Sequence, residues 1–101
     1  MITEFGAEGT RTGPTSQPGT YEFQRRFVVD HLRIHASKDY IAGSIHWALR
    51  DFRVDPTWVG GAPREWSSPP WNNKSLIEEF DARKPAYFEM RKRWRKTRPL
   101  R

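Results

Sequence analysis

The chain has 101 residues, and only 36% of them are apolar, with 5 Trp, 6 Phe and 3 Tyr among them, at a mean hydropathy of −0.89. That length allows one small domain, which must bury well over half of its unfolded surface to be stable; the few apolar runs here imply aromatics that pack against something outside the chain. The net charge of +6 is uneven, because Arg83 to Arg101 hold nine Lys or Arg and one acid, Glu89, for +8, which leaves −2 on a nearly neutral body.

Cysteine is absent, which excludes a disulfide framework and a thiolate metal site. No apolar run approaches a membrane span, so no membrane partner is expected. The N-terminus shows no basic region followed by an apolar core, which favours a cytoplasmic location; a start truncated upstream would leave that point open.

In chain order, Met1 to Glu4 read as a short strand that runs out into a carboxylate, with Phe5 and Gly6 behind it. A carboxylate at a strand tip is how an α/β barrel presents a catalytic acid. Residues 6–19 carry glycines and prolines throughout and read as loop. Thr20 can cap a helix over 21–37. Phe23, Phe27, Val28 and Leu32, with His31 and His35 beside them, form its apolar stripe, while Gln24, Arg25, Arg26, Asp30 and Arg33 lie off it.

After a polar turn, residues 40–47 read as a second strand. Both of its faces are small or apolar, which suits a strand covered on both sides in a parallel sheet. Residues 52–73 form a second long loop, and its Trp58, Trp66 and Trp71 are expected to pack over a mouth or groove. Residues 75–80 are a short extended or turn segment anchored by Leu76 and Ile77. Pro85 suits the first position of a final helix over 85–95, and residues 97–101 read as a frayed basic tail.

Strand, long loop, helix, strand, long loop, helix is the asymmetry of a (β/α) barrel, whose active site lies at the C-terminal ends of the strands. The fold class is therefore α/β, the last two β/α units of a (β/α)8 barrel. Two units cannot close a barrel that needs eight, so residues 1–96 read as the C-terminal part of a larger catalytic barrel.

The segments ITEFGAEG, GSIHWALRDF and NNKSLIEEFDARKPAYF together resemble the C-terminal end of the catalytic barrel of family 2 glycoside hydrolases, the group of β-galactosidases, β-glucuronidases and β-mannosidases. The resemblance covers nearly the whole chain. It implies that Glu4 is the nucleophile of a retaining β-glycosidase. It implies that Trp47, in W-x-x-x-D-F with Asp51 and Phe52, lines the sugar subsite beside a non-proline cis peptide, and it brings Asp51 into the substrate-binding set. Asn72 and Lys74 match N-x-K-G-L, with Ser75 where the family has glycine. In β-glucuronidases this Asn-x-Lys grips the sugar carboxylate, but similar pairs serve neutral sugars, so the sugar stays open. Lys84 to Tyr87 match a structural K-P-A-Y.

A retaining glycosidase needs two carboxyl groups about 5–5.5 Å apart. In the family the acid/base sits on the fourth strand, before this chain begins. Glu8 is too close in sequence to Glu4 and lies on a mobile loop. The chain alone is thus expected to be inactive, and its partner is a β-glycoside once the rest of the barrel is supplied.

No cofactor is expected. His31 and His35 are four apart on a helix, but no third metal ligand accompanies them. His46 could face the pocket or the helices. The basic C-terminal helix offers a different reading, a non-catalytic fragment that binds nucleic acid or an anionic surface. A solvated helix face is favoured over it, because the body is slightly acidic and no nucleic-acid motif is present.

Overall fold

The computed structural model describes residues 1–57, 66 and 68–96. In order it contains β1 (Ile2–Phe5), β2 (Gly9–Arg11), β3 (Gly19–Thr20), α1 (Tyr21–Ala36), β4 (Ser44–His46), β5 (Phe52–Arg53), β6 (Trp71–Asn72) and α2 (Pro85–Trp94). It is a small mixed α/β structure of two helices and short strands. The expected frayed tail at 97–101 and Trp58 lie outside the described residues.

β1 and β4 pair in parallel, Ile2 with Ser44 and Phe5 with His46, and α1 lies between them in sequence. The expected strand–helix–strand unit is therefore formed, but its second strand is shorter than residues 40–47. Ile41 donates its N–H to Lys38 O at 3.0 Å, and Ile2 donates to Gly43 O at 2.9 Å. The return from the helix thus consumes residues 38–41 in a turn, and pairing starts only at Gly43.

α1 begins as its cap predicts, since Thr20 Oγ1 accepts the N–H of Phe23 at 3.1 Å. Its last turn carries Arg33, whose cation complements the helix dipole. α2 starts at Pro85, whose missing N–H costs nothing in a first turn. The two helices pack on each other. Val28 from α1 and Ala86 and Met90 from α2 meet Phe5 and Leu76 in the core, with Ile2, Phe27, Leu32, Ile77 and Tyr87 at its margin.

Three expectations are corrected. Residues 6–19 are not all loop, because Gly9 and Arg11 pair with Gly19 and Thr20. Residues 52–73 likewise contain an antiparallel pair, Phe52 with Asn72 and Arg53 with Trp71. Pairings this short are made by backbone groups and leave no alternation of side chains to read. Gln24, placed off the apolar stripe, is fully buried. It shares a face with Val28, four residues on, and that face meets backbone carbonyls of residues 7, 74 and 75, which need a donor.

All three histidines of the chain gather on Phe5. His31, His35 and His46 lie 6.0, 5.1 and 5.2 Å from its ring, centroid to centroid. His46 therefore packs on Phe5 beside the two histidines of α1, on the helix side rather than in the hollow that Glu4 and Trp47 line. Its Nδ1 lies 3.2 Å from Ala48 O and so carries the proton; its buried Nε2 has no partner among the described residues. Burial pushes the His46 imidazole down to about 4.

Folding therefore favours neutral His46. The stability it contributes is complete above the unfolded pKa near 6.5 and is lost as pH falls toward 4, amounting to about 3 kcal/mol. Urea melts of the wild type and His46→Gln at pH 7 and pH 4 isolate this component, because other groups titrate in both proteins. The wild type should lose more stability on acidification than the variant. Parallel losses would show that His46 does not carry it.

Candidate functional site

β1 and β4 end side by side, and their ends bring Glu4 and Trp47 to one place. Trp47 N–H donates to Phe5 O at 2.8 Å, which fixes the two chain segments to each other just beyond the pairing. Gly6 makes this approach possible, since a Cβ there would lie 2.3 Å from Trp47 O. The Trp47–Ala48 peptide is cis, as the resemblance implies. Trp47 is 41% exposed, and its ring meets Phe52 edge-on at 5.8 Å.

Glu4 and Trp47 line an open hollow of about 460 Å³ together with Phe52, Val54, Asp55, Asn72 and Lys74. Four of the five residues singled out from the sequence are thus assembled on one surface. They come from β1, the end of β4, β6 and the segment after it. Asn72 is buried, and its Oδ1 accepts the N–H of Lys74 at 3.2 Å, which shapes the turn that offers the lysine to the hollow. An ammonium beside an indole face and a carboxylate can hold a polar, anionic, ring-shaped ligand.

Asp51, the fifth, is not on that surface. Its side chain is 1% exposed and pairs with that of Lys84, equally buried, at 2.8 Å. Asn73 Nδ2 donates to the same carboxylate at 3.2 Å. Lys84 Nζ also donates to Asn73 O at 2.8 Å. Burial pushes the Asp51 carboxyl up and the Lys84 ammonium down, and each opposes the shift of the other.

Glu8 is also not where the sequence put it. It is buried rather than on a mobile loop, and its Oε2 accepts the N–H of Asn73 at 3.1 Å. Desolvation raises its pKa against the pull of Lys74, the Asn73 N–H and Lys84. Glu8, Asp51, Asn73 and Lys84 thus form one polar cluster behind the hollow. No local pattern marks Asn73 or Gln24 as buried polar residues, whereas Lys84 belongs to the structural K-P-A-Y match and is buried in keeping with it.

Asp55, which no motif marks, is a second carboxylate in the hollow. It accepts from Thr57 N at 2.7 Å and Thr57 Oγ1 at 2.6 Å, and these bonds hold its carboxyl below the usual range. It therefore stays ionised and is poorly suited to donate a proton.

Of the loop tryptophans, Trp71 sits in β6 with the Arg53 guanidinium 5.8 Å from its ring, and the Trp66 backbone closes over Gly19. His31 and His35 pack on Phe5 and each other. No cluster that could hold a metal occurs among the described residues, nor does any helix there suffice to cross a membrane. Arg91, Lys92, Arg95 and Lys96 flank a separate hollow on α2 with Phe88.

No family model and no curated protein matches the chain. Solved structures do. A family 2 β-galacturonidase from Eisenbergiella tayi, bound to galacturonate, is similar to 96% of this chain at 27% identity and a TM-score of 0.81. A β-galacturonidase of the same family and organism bound to glycerol gives 99%, 29% and 0.80. The Ruminococcus gnavus β-glucuronidase gives 97%, 19% and 0.76, a likeness of fold alone. The chain spans 17% of each galacturonidase and 16% of the glucuronidase. It thus resembles a fragment of family 2 glycosidases.

Proposed function

We propose that this chain is the last two β/α units of the (β/α)8 barrel of a retaining β-glycosidase, and that its sugar is a uronate. The observation that carries this reading is the meeting of Glu4, Trp47, Asn72 and Lys74 in one hollow at the ends of two adjacent parallel strands. Likeness to β-galacturonidases over nearly the whole chain supports it. So does exposure: Ile45 on β4 and Leu49 just beyond it are 54% and 62% exposed, apolar surface left without cover.

In this reading Glu4 attacks the anomeric carbon as the bond to the leaving oxygen breaks, giving a glycosyl-enzyme. Trp47 stacks on the apolar face of the sugar, and Lys74 with Asn72 binds its carboxylate. The proton for the leaving oxygen comes from a carboxylic acid supplied by the rest of the barrel, since Asp55 is held ionised. The same acid later activates the water that releases the sugar. The chain alone is then inactive.

Exchanging this chain for the matching segment of the Eisenbergiella tayi β-galacturonidase tests the reading. The chimera should hydrolyse a nitrophenyl β-galacturonide in preference to the β-galactoside, and the isolated chain should hydrolyse neither. A folded chimera without turnover, or hydrolysis by the isolated chain, would refute it.

A further inference from the structure

Lys74 lies in a segment with no regular structure beyond β6, so its place in the hollow depends on what holds its backbone. Buried groups do this. Asn73 donates its N–H to Glu8, and its carbonyl accepts from Gly9 N at 3.1 Å and from Lys84 Nζ. Gln24, fully buried on α1, adds a single side-chain nitrogen that ties the segment of Lys74 to the chain just after β1. Its Nε2 lies 3.3 Å from Lys74 O and 3.0 Å from Ser75 O, and 3.0 Å from Ala7 O, three residues after Glu4. An amide nitrogen has two hydrogens, so these three carbonyls share it. Gly9 leaves the room, since a Cβ there would lie 2.5 Å from Gln24 Oε1.

We infer that Gln24 is a positioning residue that sets Lys74 against Glu4 and so selects a carboxylate-bearing sugar over its neutral counterpart. The inference rests on the uronide reading above. Its physical basis is a difference in tolerance. A charge-assisted hydrogen bond needs its donor placed within tenths of an ångström, whereas stacking on Trp47 depends on β4, which makes no hydrogen bond to Gln24.

The test is a titration of the isotopically labelled full chain with galacturonate and, separately, galactose at millimolar concentrations, followed by NMR at Trp47 and Lys74. Gln24→Met keeps the side-chain length and removes both donors. It should weaken galacturonate binding about tenfold, the loss of roughly one charge-assisted bond, with less than about a twofold change for galactose. Gly9→Ala, which displaces Gln24 without removing it, should do the same. Amide exchange at Lys74 should rise in both variants, and at Gly9 in Gln24→Met, while α2 is unaffected.

Equal weakening for both sugars would reduce Gln24 to a merely structural residue, and no weakening for either would overturn the inference. If the wild-type chain alone binds neither sugar, the same titrations are made in the chimera with the rest of the barrel present, and a wild-type chimera that binds neither sugar would end the uronide reading. Unchanged exchange at Lys74 in the variants would then overturn the positioning role as well.

Discussion

Glu4→Gln, introduced into the chimera with the Eisenbergiella tayi enzyme, is expected to lower kcat for a nitrophenyl β-galacturonide by roughly 10⁴-fold or more, the scale seen when a covalent nucleophile is removed. The amide keeps the shape of the side chain and loses the charge that bonds to the anomeric carbon. Glu4 can be changed with little harm to the fold, because it is exposed on β1 and is not one of the core residues. The melting temperature should therefore move little, which separates chemistry from stability. Glu4→Ala opens a space in which added azide can attack in place of the carboxylate. Recovered turnover with an azide-bearing sugar product would identify the bond that Glu4 makes. Turnover within tenfold of the parent in Glu4→Gln would remove Glu4 from that role.

Lys84→Met is expected to cost about 3–5 kcal/mol, a large part of the stability of a domain this small. Lys84 and Asp51 are each about 1% exposed at the side chain, 2.8 Å apart. Removing the ammonium leaves a buried carboxylate that keeps neutral donors such as Asn73 Nδ2 but loses its charged partner. It also releases Asn73 O from its charged donor. Asp51 is already pushed up by burial, so without Lys84 it takes a proton more readily. The deficit of Lys84→Met relative to wild type should therefore shrink as pH falls. A double variant, Asp51→Leu with Lys84→Met, should lose less than the sum of the single changes, because no charge is then left buried alone. Urea denaturation followed by circular dichroism measures all four proteins. A Lys84→Met variant within about 1 kcal/mol of wild type would show that the pair does not hold this region together.

Asp51 shows how far a motif can be read. W-x-x-x-D-F placed it beside a tryptophan that does line the hollow, and the spacing alone could not say that its side chain turns inward to Lys84, 33 residues on. Glu8 shows the same limit from the other side: a glutamate in a Gly-rich loop reads as solvent-exposed until Asn73 supplies its N–H from 65 residues away.

The sequence by itself determined the two helices, the cap at Thr20, Pro85 at the start of α2 and the order strand, helix, strand. These follow from local rules: periodicity, capping chemistry and the fixed φ of proline act within a few residues. It also carried the residue set Glu4, Trp47, Asn72 and Lys74, through motifs that are short and local. Tertiary structure alone decided that these four share one hollow, that Asp51 leaves it for Lys84, and that Gln24 is buried rather than solvated. Those outcomes depend on which buried carbonyls and charges lack partners once distant segments meet, and the cost of leaving a buried polar group unsatisfied is set by neighbours that no local pattern names.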